Sequence, residues 1–495
     1  MLSSPFLPLV GVAFSFFTGL NSVSGKPSSI PFTVRGSAVQ FLADPSDPGD
    51  GGVTTNDNAF YVTTIALGGL NLTVQLDTGS SDLVVDLKGR QINLDGSSDI
   101  PAQAGFGSGS VSGTVQFADL QIGGFVINSQ AFLDISSITG SVFPSTLDGI
   151  LGMSFNGPGS HIESAIATAQ GQDAANQLGN TPIVSLFSQQ SKLPNSFDVQ
   201  LGRSDGTSEA QGTFIIGEHD NNFQQIANAP PLPSLNEDHW TLVMDAMLIN
   251  GQPFAFNASG VQGLPQGKIA AVVDTGVTFP PLPPAAVDAI YRSIPGAVFD
   301  QTTSLWEVPC NASTNLSFVF ANQEFAIHPL DLTVPTVITS PTDPSQKVTV
   351  CLNTFRYLAL DPNQFGGFDT ILGDAFLRNV YASFNYGNAN TGPFVQMVTT
   401  MPDSNTAMQE FQTQRAAALA KLPPTLDAVS QQSSQASQSS APSGTAAQTS
   451  TAALQSTTTT SLPADIHNGS AKGGVLSEHA ALAAFMLLSG LVMLV

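Results

Sequence analysis

The chain is short of charge, of basic residues and of sulfur. Among 495 residues only 14 are Lys or Arg, against 37 Asp or Glu, and charged residues make up 10% of the total. So few cations argue against nucleic acid as a partner, because phosphate binding needs clustered Lys and Arg. The net charge of −23 is compatible with work in acid, where protonated carboxyls reduce it. Cysteine occurs only as Cys310 and Cys351, with no Cys-x-x-Cys spacing and no catalytic setting for either thiol. In an exported chain such a pair forms one disulfide closing a long loop, worth about 2–4 kcal/mol; two free buried thiols are the alternative. His-Glu-x-x-His and Gly-x-Ser-x-Gly are absent, and the six histidines show no ligand spacing. Neither a metal nor a cofactor is implied.

Glycine, proline and apolar residues are plentiful: 45 Gly, 33 Pro and 42% apolar. With abundant Thr, Val and Phe, this composition predicts a mostly β body. Period-two runs broken by Gly pairs read as antiparallel strands: Ala59 to Leu67 followed by Leu72 to Leu76, Gly113 to Ile127, and Thr241 to Phe256 around Asn250-Gly251. Helices are few. Pro283-Pro284 opens one with Val287, Ile290, Tyr291 and Ile294 on its apolar face, and a second runs through Ile183 to Gln190. Trp240 and Trp306 read as core residues. The stretch from Gly157 to Leu178 carries no functional reading.

One short pattern occurs twice. Gln75-Leu76-Asp77-Thr78-Gly79-Ser80 and Val272-Val273-Asp274-Thr275-Gly276-Val277 each place an acid-Thr-Gly turn after an apolar run. Each is answered downstream by an apolar-apolar-Gly, Ile150-Leu151-Gly152 and Ile371-Leu372-Gly373. A carboxylate ending a buried strand is costly unless hydrogen bonds or chemistry compensate it. Meeting that cost in two equivalent halves points to two carboxylates brought face to face, sharing one proton because both cannot ionise together.

On these motifs the chain resembles the pepsin-like aspartic endopeptidases, from about Asn56 to Thr400, and is similar to the fungal lipid-anchored, yapsin-like group. The resemblance implies a bilobal fold, two related β-lobes with the active-site cleft between them, and a Gly- and Pro-marked run from Gly217 to Pro233 separates the two halves. It implies Asp77 and Asp274 as catalytic residues acting on a shared water, with Thr78, Gly79, Ser80, Thr275, Gly276 and Thr278 in support. Gly79 and Gly276 turn N–H groups toward the carboxylates, and Thr78 and Thr275 cross-bond beneath them. Phe106, Gly107 and Ser108 fall in the flap that closes over substrate. The family usually has Tyr where Phe106 stands, hydrogen-bonded to a Trp that falls at Val84, so this flap is held by apolar contact. Val277 replaces a hydroxyl residue and should raise the proton affinity of Asp274. Asp148 and Asp374 brace the two loops, with tuning of the dyad an equal reading for Asp374. The Cys310–Cys351 bridge also has a family counterpart in the second lobe.

The ends read as address labels. Residues 1–23 are a signal peptide and 24–55 a short propeptide or disordered arm, with only Lys26 and Arg35 as prosegment cations. The lobes occupy 56–220 and 221–400, and a short helix or linker 401–428 ends near Pro423-Pro424. A Ser/Thr-rich stalk and spacer fill 429–479, and 480–495 is an apolar tail removed on attachment of a GPI anchor at Asn468; a single-pass tail anchor is the competing reading. Asn71, Asn257, Asn311 and Asn315 are glycosylation acceptors. The expected protein is a monomer at the cell surface or wall that hydrolyses extended peptide segments at acid pH. The rival is a non-catalytic peptide-binding or adhesion module on the same fold.

Overall fold

The computed structural model describes residues 29–34, 54–55, 60–122, 124–203, 211–357, 367–388 and 390–426. The signal peptide, the stalk, Asn468 and the apolar tail lie outside them. Two short strands fall within the segment read as an arm. Ser29–Val34 pairs antiparallel with Gln211–Ile216 and with Tyr61–Leu67, and Thr54–Thr55 pairs with Thr333–Thr339.

Each lobe repeats one local design. In the first, Tyr61–Leu67 turns at Gly68-Gly69 into Leu70–Asp77, and both glycines hold positive φ, +53° and +87°. Leu70–Asp77 then takes Gly149–Gly152 as a parallel neighbour, with Asp77 opposite Gly152. In the second lobe Ile269–Val273 pairs antiparallel with Thr241–Met244 and parallel with Thr370–Leu372, with Val273 opposite Leu372. All five residues of Ile269–Val273 are buried, as expected for a strand covered on both faces. The apolar-apolar-Gly motifs are therefore the parallel partners of the strands that carry the two acids.

The lobes are joined through one sheet. Ser196–Gln200 lies between Gln211–Ile216 and Val380–Asn385, which pairs in turn with Phe394–Thr399. Aromatic rings fill the joint: Phe197 stacks on Phe384 at 4.9 Å, and Trp240 sits 5.2 Å from Phe384. Contacts of this kind contribute about 0.5–1.5 kcal/mol each beyond area burial. Trp240 is fully buried and donates to the Met153 carbonyl at 3.1 Å, so it is a core residue that bonds across the lobes. Trp306 is also buried and donates to the Tyr357 hydroxyl at 2.6 Å.

Pro182–Gln189 and Pro284–Arg292 are helical, and Val287, Ile290, Tyr291 and Ile294 are buried. The stretch left unread folds as two helices, His161–Gln170 and Gln172–Leu178. Its start signal is a serine N-cap: Ser160 Oγ accepts the Glu163 N–H at 3.0 Å, and the Glu163 carboxylate accepts the Gly157 N–H at 2.6 Å. A last helix, Ser404–Leu419, begins at the Asp403 cap and buries Ala407, Phe411 and Arg415 against the second lobe. Arg415 donates to the Thr333 carbonyl at 2.8 Å and reaches Cys351 Sγ at 3.6 Å. Cys310 and Cys351 are disulfide-bonded, closing a separation of 41 residues.

Candidate active site

The two acid-Thr-Gly turns meet at the junction of the lobes. Thr78 N–H donates to Thr275 Oγ1 at 3.1 Å, and Thr275 N–H donates to Thr78 Oγ1 at 3.0 Å. Each hydroxyl passes its own proton across the interface, Thr78 to the Val273 carbonyl and Thr275 to the Leu76 carbonyl, both at 2.9 Å. All four groups are satisfied with no water needed, which is how a buried polar base is kept at low cost. Above it Gly79 N–H donates to Asp77 Oδ1 at 2.9 Å and Gly276 N–H to Asp274 Oδ1 at 2.7 Å. Gln75 Nε2 adds a bond to the Gly276 carbonyl at 3.2 Å.

The carboxyls cross over. A Cβ placed on Gly79 would stand 2.2 Å from Asp274 Oδ2, and one on Gly276 would stand 2.3 Å from Asp77 Oδ1. Each acid thus lies against the other turn's glycine, where no larger residue fits. Asp77 and Asp274 are both buried, 6% and 7% exposed. Burial, then the charge of Asp77, pushes the Asp274 carboxyl well above the usual carboxylate range. Asp274 is therefore the member of the pair disposed to hold a proton, which is the condition for an acid and a base in one site.

A family model described as eukaryotic aspartyl protease matches residues 60–393. The chain belongs to the eukaryotic aspartyl protease family. Among relatives, major aspartyl peptidase 1 of Cryptococcus neoformans var. grubii is 24% identical over 59% of this chain and 56% of its own. Aspartic-type endopeptidase ctsD of Aspergillus fumigatus is 26% identical over 58% of this chain and 52% of its own. The chain spans about half the length of these two fungal relatives. Cathepsin D of Dictyostelium discoideum is 25% identical over 68% of this chain and 83% of its own. The crystal structure of the aspartic proteinase from Irpex lacteus matches with a TM-score of 0.54 at 18% identity, over 77% of this chain and 99% of that one. That likeness shows the pepsin-like, two-lobed fold.

Within this aspartyl protease fold the surroundings of the two acids differ. Ser80 Oγ donates to Asp77 Oδ2 at 2.6 Å, whereas the matching position is Val277, which has no hydroxyl to offer Asp274. Thr278, next along, is half-buried. Asp148 braces the first turn: it accepts the Thr73 N–H at 2.9 Å and pairs with Arg90 at 2.5 Å and Lys88 at 3.2 Å. Burial acts upward on Asp148, but these donors outweigh it and hold the carboxyl below its usual range. Asp374 is different. Its N–H donates to the Val277 carbonyl at 2.8 Å, yet neither side-chain oxygen has a hydrogen-bond partner among the described residues. Burial raises its proton affinity strongly, Arg378 opposes, and Asp274 and Asp77 add to the rise. The side chain therefore braces through no hydrogen bond among the described residues, and its charge is coupled to those of Arg378, Asp274 and Asp77.

The flap is the hairpin of Gly96–Phe106 and Gly109–Ile122, with Gly107 and Ser108 at its tip. Phe106 is half-buried and packs against a cluster containing Val84, Ala104, Val111, Val142 and Ile150. The apolar pair Phe106 and Val84 thus occupies one cluster. A third strand, Phe125–Gly140, backs the hairpin as far as Gly109 opposite Gly140, and Ser141 N–H bonds the Ser108 carbonyl at 3.0 Å. Ile162 and Ile166 of helix His161–Gln170 join the same cluster. The helix start is tied to the first active turn by Asp82, which accepts Ser160 Oγ at 2.6 Å and His161 N–H at 2.7 Å. Asp82 was not singled out in the sequence. An acid five residues after Asp77 is unremarkable until the inserted helix is seen above it.

Proposed function

We propose that this chain is a secreted, surface-anchored aspartic endopeptidase that hydrolyses peptide bonds of proteins in acid. The observation that carries the reading is the crossing of the two carboxyls, each against the other's glycine, with Asp274 disposed to keep a proton. Asp77, bonded by Gly79 N–H and Ser80 Oγ, acts as the charged base; Asp274 acts as the acid. Asp77 takes a proton from a water as its oxygen attacks the scissile carbonyl, and Asp274 donates its proton to the carbonyl oxygen. The tetrahedral diol collapses as the C–N bond breaks: Asp77 passes its proton to the departing amine and a diol hydroxyl returns one to Asp274, leaving one shared proton on the pair. An extended peptide fits a cleft of this kind, with flap backbone groups and the remaining lone pairs of the Gly79 and Gly276 carbonyls as partners.

Surface attachment rests on the sequence order of stalk, Asn468 and apolar tail. Glycosylation at Asn71, Asn257, Asn311 and Asn315 is supported by their exposure. The test uses the secreted protein and denatured haemoglobin at about pH 3–5. Cleavage blocked by a pepstatin-type inhibitor and lost in Asp77→Asn and Asp274→Asn is the expected result. No cleavage by the wild type, or undiminished cleavage by either variant, overturns the reading. Release of the protein from intact cells by a GPI-specific phospholipase or a wall-degrading enzyme tests the anchor.

A further inference from the structure

His239 sits directly before the buried Trp240, on the second lobe. Its backbone is fixed by short-range bonds: Asn236 Oδ1 accepts the N–H groups of Asp238 at 3.2 Å and His239 at 3.1 Å, and the His239 carbonyl accepts Thr241 N–H at 2.7 Å and Ser234 Oγ at 3.1 Å. From this rigid turn the imidazole crosses to the first lobe, where Nδ1 lies 3.1 Å from the Gly79 carbonyl. A carbonyl oxygen only accepts, so Nδ1 carries the hydrogen. Phe368 packs against the ring edge-on at 5.6 Å.

Gly79 is thereby held at both ends of its residue. Its N–H is committed to Asp77 Oδ1, its carbonyl to His239, and its Cα faces the Asp274 carboxyl. The threonine pair secures the base of the two turns; His239 secures the upper edge of one of them from the opposite lobe. We propose that His239 is a positioning residue for the first catalytic turn, its Nδ1–H holding the Gly79 peptide so that Asp77 stays aimed at the shared water. The inference rests on the endopeptidase reading and goes beyond it, since neither the paired motifs nor the threonine bonds require a histidine at this place.

Burial pushes the imidazole below the ordinary histidine range, against the upward pull of Asp238, the Gly79 carbonyl and Asp77. The charged groups facing it are Asp238 on its own loop and Asp77 across the cleft; Phe368, on the third element, is uncharged.

The experiment compares the wild-type secreted protein with His239→Phe and His239→Gln by steady-state cleavage of a peptide substrate across acid pH. His239→Phe should lower kcat roughly tenfold with KM within about twofold. His239→Gln, which keeps an N–H donor, should recover most of kcat. A merely structural histidine would lower kcat only together with stability, so equal denaturation midpoints in the three proteins separate the two roles. An active wild type with full kcat in His239→Phe, or with kcat in His239→Gln no higher than in His239→Phe, overturns this inference alone. A silent wild type ends the endopeptidase reading and this inference together.

Discussion

Gly79 and Asp274 come from different lobes, yet the Asp274 carboxyl lies so close to the Gly79 Cα that an added methyl would stand 2.2 Å from Oδ2 and 2.3 Å from Cγ. The approach that joins the dyad is therefore also what forbids a side chain at either turn.

Gly79→Ala should push the acids apart. Overpacking a tight site costs about 1–3 kcal/mol, and displacement of a reacting group by about 1 Å lowers turnover about 100-fold. Peptide cleavage and a denaturation midpoint, measured on the same preparation, check both effects. A variant as active as the wild type would contradict the crossed geometry.

Stability should fall as pH rises from acid toward neutral. The carboxyls of Asp274 and Asp374 are pushed above the ordinary value of 3.8, so the folded protein binds more protons than the unfolded chain. Their contribution is fully present below that value and is lost as pH climbs through the folded values. Asp374→Asn removes one of the two titrations, so its urea midpoint should decline less steeply over the same range. Asp331 works in the opposite sense. Burial acts upward, but Arg203 and Arg378 bind it and lower its proton affinity, so its contribution is lost only in strong acid. A flat wild-type profile, or an Asp374→Asn profile parallel to it, would count against this account.

Val277→Thr introduces a hydroxyl at the position where Ser80 serves Asp77. A donor to ionised Asp274 lowers its proton affinity, so the upper limb of the pH–rate profile should move down, by up to about one pH unit. An unmoved limb would show that burial and Asp77 alone set the acid.

Arg415 locks the final helix onto the second lobe. Arg415→Ala strands the Thr333 carbonyl and hydroxyl that the guanidinium serves at 2.8 Å and 3.1 Å. Unpaired buried groups cost about 1–3 kcal/mol each. Limited proteolysis should open the chain near Ser404–Leu419 in the variant first; an unchanged digestion pattern would argue against the lock.

Much of this was legible from local pattern. The acid-Thr-Gly turns, their apolar-apolar-Gly partners, the Gly68-Gly69 hairpin and the Pro283-Pro284 helix start are short-range signals, and each appears where period and turn chemistry place it. The inserted helices were missed because their stabilising partners are remote. Ile162 and Ile166 join an apolar cluster drawn mainly from the flap sheet, and the capping carboxylate at Asp82 lies 78 residues before Ser160. Asp374 was visible as a motif residue, but whether its oxygens found donors depended on what packed around it.

By itself the sequence determined the pairing of two equivalent half-sites and the residue types each could use, because turn glycines and strand periodicity act over a few residues. Only the tertiary structure decided how those halves face each other, which acid keeps the proton, and that a histidine spans the gap to Gly79. Proton affinity and cross-lobe bonding depend on burial and on distances between residues far apart in the chain, and neither quantity exists until the lobes have closed on one another.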